Sequence, residues 1–126
     1  MIHNSTETQA LIHRALVEDQ VAIDATTASI IPHTMVGSAA LIAKEDGILA
    51  GIEVAQEVFR CLDPTLHCRS DREDGLPIQA GNILAQVYGC ISSILRGERT
   101  AMNFLQRLSG IATETSRYVS AVAGLP

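Results

Sequence analysis

GERTAMNFLQRLSGIAT, residues 97–113, is the stretch on which the reading of this chain turns. Ala101, Leu105, Leu108 and Ala112 fall on one helical stripe, and Met102 with Phe104 widens the apolar arc. The spacing predicts a core helix, broken at Gly97 and near Gly110, with Glu98 and Arg99 in its first turn. Glu98 suits the positive end of the helix dipole there, whereas Arg99 does not. Two readings of Arg99 stand side by side. It is a surface cation, or the partner of Glu98 in a local ion pair worth well under about 1 kcal/mol. Alternatively it forks its planar guanidinium onto a carboxylate, a geometry that lysine cannot reproduce.

Working outward, Leu11, Ile12, Ala15 and Leu16 make a second helical stripe, with Thr6 and Gln9 placed as a capping box. This predicts a helix over 7–19, followed by an irregular stretch over 20–36. Residues 38–43 read as a strand, Glu45-Asp46-Gly47 as a turn and 48–50 as the returning strand. A helix over 52–62 follows, lined by Ile52, Ala55, Val58, Phe59 and Leu62. Residues 66–69 form a short strand, 70–75 a charged loop, 76–81 a turn-rich segment and 83–88 another strand. The order is helix, β-hairpin, helix, β-hairpin, helices. It predicts one α+β domain over 1–126, with an antiparallel sheet and helices packed on one side. The last residues, Ala-Val-Ala-Gly-Leu-Pro, end without a polar tail, and the chain is expected to continue past Pro126.

Composition narrows the function. Apolar residues make up 47% and charged residues 18%, a globular balance, and with aromatics at 3% the core must be aliphatic. The net charge of −5 argues against a nucleic-acid partner, whose phosphates call for the opposite sign. Lys44 is the single lysine beside eight arginines, so the dense cationic cluster that holds a polyphosphate is missing. Cys61, Cys68 and Cys90 are an odd set without a Cys-x-x-Cys pair, as expected of reduced thiols in the cytoplasm. No apolar run approaches the roughly 18 residues that cross a bilayer. The start, MIHNSTETQ, has no signal-peptide pattern, which leaves Asn4-Ser5-Thr6 a chance glycosylation sequon.

Candidate chemistry is sparse. His3, His13, His33 and His67 are scattered, and Cys61 with His67 and Cys68 falls short of the four ligands of a structural zinc site. No metal site is expected. Neither a Gly-x-Ser-x-Gly elbow nor a glycine-rich phosphate loop occurs. Glu18, Asp19 and Asp24 read as a solvated helix end rather than paired catalytic carboxylates. Lys44, at the tip of the expected hairpin, has a superficial likeness to the attachment lysine of biotin and lipoate carriers. It follows Ala43 and precedes two acids, which departs from both patterns.

Several stretches taken together carry a resemblance. They are Ala15-Leu16-x-Glu18-Asp19, Ala43-Lys44-Glu45-Asp46-Gly47-x-Leu49-Ala50-Gly51, Asp74-Gly75 with Gly81 and Gly89, and the run from Glu98-Arg99-Thr100-Ala101-Met102-Asn103 to Thr113. With them the chain resembles the N-terminal domain of the quinolinate phosphoribosyltransferases, from about Ala15 onward. One departure stands out. The family's usual Gly-Asp-x-Thr step has Ile23 in place of glycine, before Asp24-Ala25-Thr26. A β-branched residue avoids positive φ, so an altered loop backbone is expected there.

The resemblance implies a hammerhead-type α+β fold and a reaction performed elsewhere. Quinolinate and phosphoribosyl pyrophosphate give nicotinate mononucleotide, pyrophosphate and carbon dioxide in NAD biosynthesis, with Mg2+ accompanying the pyrophosphate. The site lies at the mouth of a C-terminal α/β barrel, closed by the N-terminal domain of the other subunit of a homodimer or higher oligomer. The resemblance puts Arg99 on a quinolinate carboxylate across that interface, with Glu98, Thr100 and Asn103 supporting it. Glu98 would orient Arg99 or cap the helix, Asn103 would satisfy a buried backbone group, and Ser109-Gly110 would allow close packing or a bend. No catalytic residue is expected in this segment, and the 126-residue chain alone is expected to be inactive. Competing readings are a stand-alone binding or assembly module, half of a split enzyme, and a related molybdenum-associated family. That last family carries a Trp-Lys-type step where this chain has Glu98-Arg99-Thr100. The apolar tail over 111–125 further predicts self-association, or membership of a longer chain.

Overall fold

The computed structural model describes residues 6–27, 31–32 and 34–124, and of residues 19–27 it describes the backbone alone. The elements are α1 (Thr6–Thr27), β1 (Val36–Ile42), β2 (Gly47–Ile48), α2 (Ile52–Leu62), β3 (His67–Arg69), β4 (Pro77–Ile78), β5 (Ile83–Cys90) and α3 (Ile91–Ala123). β5 is the middle strand of an antiparallel sheet ordered β1-β5-β3, and β2 with β4 makes a separate antiparallel ribbon. The fold is α+β, as the element order implies.

The helices meet over an aliphatic core. α1 contributes Ile12 and Leu16, the sheet Leu41, Leu84 and Val87, α2 Ala55, Val58 and Phe59, and α3 Ile94, Ala101 and Leu105. Phe59 is the largest fully buried side chain. β5 holds the register on both sides, Ser38 and His67 both lying opposite Tyr88. α2 begins and ends where its apolar spacing predicts. The short strand expected over 66–69 forms as β3, and its partner is β5.

Three expectations are overturned. The hairpin over 38–50 does not form. β1 runs instead along β5, from Val36 opposite Cys90 to Ile42 opposite Ile83, with a register shift at Leu41/Ile42. β2 pairs with β4. Seven residues of β1 find a long partner in β5, which a three-residue return strand could not offer. The backbone of the would-be return strand is satisfied from elsewhere. Leu49 N donates to Leu76 O at 3.0 Å, Ile48 N to Thr113 Oγ1 at 2.9 Å, and Ala50 N to Ser109 Oγ at 3.0 Å.

Second, α1 does not stop near Asp19 but continues to Thr27, across the first eight residues of the stretch read as irregular. Neither glycine nor proline interrupts the sequence between Glu7 and Pro32, and threonine costs a helix only tenths of a kcal/mol. Thr6 already belongs to the helix. Ile23 to Thr26 are helical too, so the bulky residue sits on right-handed backbone that it adopts without strain.

Third, α3 runs unbroken through Gly97 and Gly110, which moves Arg99 out of the first turn. Tertiary packing overrides the weak helix propensity of glycine. A Cβ on Gly97 would lie 2.9 Å from Phe59 Cδ1, so the glycine lets α2 and α3 approach closely. His3, His33, Asn4 and Ser5, and the side chains of Asp19 and Asp24, lie outside the described residues.

Candidate functional site

α3 is fixed at several points along its length, and these set the position of Arg99. At its start, Ser93 Oγ donates to Asp63 Oδ2 at 2.7 Å, tying the first turn to the end of α2. Gly97 then packs on Phe59 and Leu62. Further on, Ser109 Oγ both accepts from Ala50 N and donates to Ala50 O at 3.1 Å. Thr113 Oγ1 accepts from Ile48 N and donates to Ser109 O at 2.7 Å. Between these fastenings Ala101 and Leu105 are buried in the core, and Thr100 is buried beside them. Arg99 therefore stands on a helix that cannot shift without breaking several buried contacts.

Arg99, Asn103 and Arg107 recur every four residues along α3 and are all exposed. Among the described residues, the side chains of Arg99 and Asn103 have no hydrogen bond or ion pair. Glu98 is half-buried and makes none to Arg99. The local ion pair weighed above is thus not made. Glu98 does not cap the helix either, because α3 starts at Ile91, roughly two turns earlier. Asn103 does not serve a buried backbone group. The dipole no longer argues against Arg99, since its influence fades within the first turn. What remains is an unpaired guanidinium, held by rigid backbone and presented outward, with its whole fork available to a carboxylate or phosphate.

The other candidates look different in three dimensions. Lys44 is exposed at a bend rather than at a hairpin tip, which removes the likeness to carrier domains. Among the described residues no group of three His, Cys, Asp or Glu could hold a metal ion. Cys61, Cys68 and Cys90 are free thiols. Burial pushes the Cys68 thiol up to about 11. Burial also raises Cys61, while a backbone hydrogen bond from Ser93 lowers Cys90. The sequence reading missed the hydroxyls of Ser109 and Thr113 as fasteners, and Asp74 as the cap of α2. The small residues beside Gly110 and the Asp-Gly at 74–75 were the available signals.

The family model for the quinolinate phosphoribosyl transferase N-terminal domain matches residues 24–109, a span that includes Arg99. This chain belongs to that family. A nicotinate-nucleotide pyrophosphorylase [carboxylating] of Oryza sativa subsp. japonica, described as chloroplastic, is 38% identical over 120 residues, 94% of this chain and 32% of that protein. A probable nicotinate-nucleotide pyrophosphorylase [carboxylating] of Synechocystis is 40% identical over 90 residues, 71% of this chain and 30% of that protein. Among solved structures, NadC from Streptococcus pyogenes superposes with a TM-score of 0.85 at 36% identity, covering 93% of this chain and 42% of that one. This quinolinate phosphoribosyltransferase N-terminal domain thus spans about a third of the length of the curated relatives it matches. No helix among the described residues is long and apolar enough to cross a membrane.

Proposed function

We propose that residues 1–126 act as the N-terminal, site-closing domain of a quinolinate phosphoribosyltransferase, and that Arg99 forks onto a quinolinate carboxylate held by a second subunit. The observation that carries this is the geometry of Arg99: exposed, unpaired and fixed by α3, within the span that matches the family. In the complete reaction the quinolinate ring nitrogen attacks the anomeric carbon of phosphoribosyl pyrophosphate, and pyrophosphate leaves. The adduct then loses carbon dioxide to give nicotinate mononucleotide. Arg99 would hold the dianion in register for that attack, so its contribution is orientation and charge neutralisation. Mg2+ would travel with the pyrophosphate. Among the described residues no group of three His, Cys, Asp or Glu could hold it.

Assembly into a dimer or higher oligomer is part of the reading. Ile111, Tyr118, Val119 and Val122 leave an apolar surface on the last turns of α3, which supports burial there in the assembled enzyme. The free thiols support a reducing, cytoplasmic setting. The test is a chimera in which this chain replaces the matching part of a full-length relative. Arg99→Lys there keeps the charge and loses the fork, and should raise the KM for quinolinate about tenfold or more, with the KM for phosphoribosyl pyrophosphate little changed. An unchanged KM for quinolinate would remove Arg99 from the substrate. The 126-residue chain by itself should show no turnover.

A further inference from the structure

A second cluster of unpaired charge lies where α1 packs against α3. Arg14 and Glu18 of α1 and Asn103 and Arg107 of α3 line a cleft of about 310 Å³, with Leu11 and Phe104 supplying apolar wall. Its size is at the small end of the range for small-molecule sites, and it is an open groove in which polar and apolar surface contribute about equally. Arg14, Glu18, Asn103 and Arg107 are all exposed, and among the described residues none of their side chains has a hydrogen bond or ion pair. Two guanidiniums from neighbouring helices thus face one carboxylate in a chain whose overall charge is −5. The cleft is locally positive on a negative molecule. Arg99 does not line it.

We infer that this cleft binds a small organic anion, a planar or apolar body carrying a carboxylate or phosphate that Arg14 and Arg107 grip together. The chemistry follows from the lining. Guanidinium forks match carboxylate and phosphate oxygens, the Asn103 amide adds a donor beside them, and Phe104 and Leu11 accept an apolar body. Glu18 opposes the anion, and this gives the site a sign that can be tested. Arg99 stands one turn before Asn103 on the same row of α3, outside the cleft, and the inference does not use it.

The experiment is an amide NMR titration of the 126-residue chain with benzene-1,3-dicarboxylate, with inorganic phosphate and with the neutral benzene-1,3-dicarboxamide. Saturable shifts are expected around Arg14, Asn103 and Phe104 with one or both anions and none with the neutral amide. The stronger anion identifies the group that the cleft prefers. Arg14→Gln and Arg107→Gln should each weaken binding about tenfold or more, since each removes a charge-assisted bond. Glu18→Gln should tighten it. All three side chains are exposed, so thermal unfolding should be unaltered. The inference is overturned if neither anion gives saturable shifts, or if Glu18→Gln weakens binding as the arginine variants do. It is also overturned if sedimentation shows a second copy of the chain filling the cleft, as a dimer that Arg107→Gln dissociates and the anions do not.

Discussion

The carboxylate of Asp74 caps helix α2 from 23 residues away, its Oδ2 accepting from Gly51 N at 3.0 Å and its Oδ1 from Ile52 N at 3.2 Å. Gly51 sits at the cap position with φ 100, a conformation that glycine adopts without penalty, and its own side supplies no capping oxygen. The first N–H groups of the helix would otherwise be unsatisfied. Asp74 also brings the charged loop back onto the domain, where Gly75 N donates to Leu49 O at 2.8 Å. Asp74→Ala should therefore cost about 1–2 kcal/mol, read as a lower urea midpoint with an unchanged slope. Asp74→Asn keeps an acceptor and should lose less than Asp74→Ala. Equal losses would mean that the charge, rather than the hydrogen bond, carries the cap.

Gly97 and Gly110 sit in one helix and should respond to alanine in opposite directions. Beneath Gly97 lie Phe59 Cδ1 at 2.9 Å and Leu62 Cδ2 at 3.2 Å from a built Cβ, and the fully buried Phe59 ring has nowhere to retreat. A Cβ on Gly110 would meet nothing within 4 Å. Gly97→Ala should destabilise by about 1–3 kcal/mol through overpacking. Gly110→Ala should stabilise by up to about 1 kcal/mol through helix propensity alone. Denaturant unfolding of both variants checks the contrast.

The same pair explains what the sequence could and could not tell. α2 was legible to the residue, because the periodic positions Ile52, Ala55, Val58 and Phe59 are all buried. Gly97 and Gly110 read as breaks because propensity is a local signal. The reason α3 continues past Gly97 is a contact with α2, 38 residues away from Phe59 in the chain. The hairpin over 38–50 failed for a related reason. Strand pairing is non-local, and the partner of Leu41 turned out to be Ala85 rather than a near neighbour. Arg99 was legible as a residue to watch, but its exposure and its freedom from Glu98 depended on where the helix started. Arg14 and Arg107 carry no shared sequence pattern at all. Only the packing of α1 on α3 brings them to one cleft.

Asp63 predicts a pH dependence. Hydrogen bonds from the Thr65 hydroxyl, the Ser93 hydroxyl and the Thr65 backbone N–H hold its carboxyl below the usual aspartate value. A folded pKa below the unfolded value of about 4 favours the native state above that value. The contribution is then lost as pH falls through the folded pKa. Ser93→Ala removes one donor and should be less stable than the parent at neutral pH. The gap should narrow as pH is lowered below about 4, where the carboxylate protonates in both proteins. Urea midpoints of the two proteins between neutral and strongly acid pH measure this. A gap that stays constant would show that Ser93 acts through packing of the first turn of α3 rather than through the Asp63 charge.

The three thiols should separate by rate. The thiolate is the reactive form, so labelling follows both acidity and access. Cys90 takes a hydrogen bond from the Ser93 backbone N–H at the start of α3, which lowers its pKa below the usual thiol value. Cys61 is exposed, but burial of its sulfur and the nearby Glu57 charge raise it. Cys68 is half-buried behind the β3 edge and pushed up to about 11. At mildly alkaline pH, maleimide labelling followed by peptide mass mapping should therefore modify Cys90 first, Cys61 next and Cys68 last. The balance between the first two is the sharper point. Cys61 has the better access and Cys90 the larger thiolate fraction, so raising the pH should close the gap between them. Cys68 should join only when the domain unfolds or the pH nears its own pKa. Early labelling of Cys68 under native conditions would mean that the β3–β5 edge opens readily, and that the sheet is less tightly closed there than the Cys68–Val87 register implies.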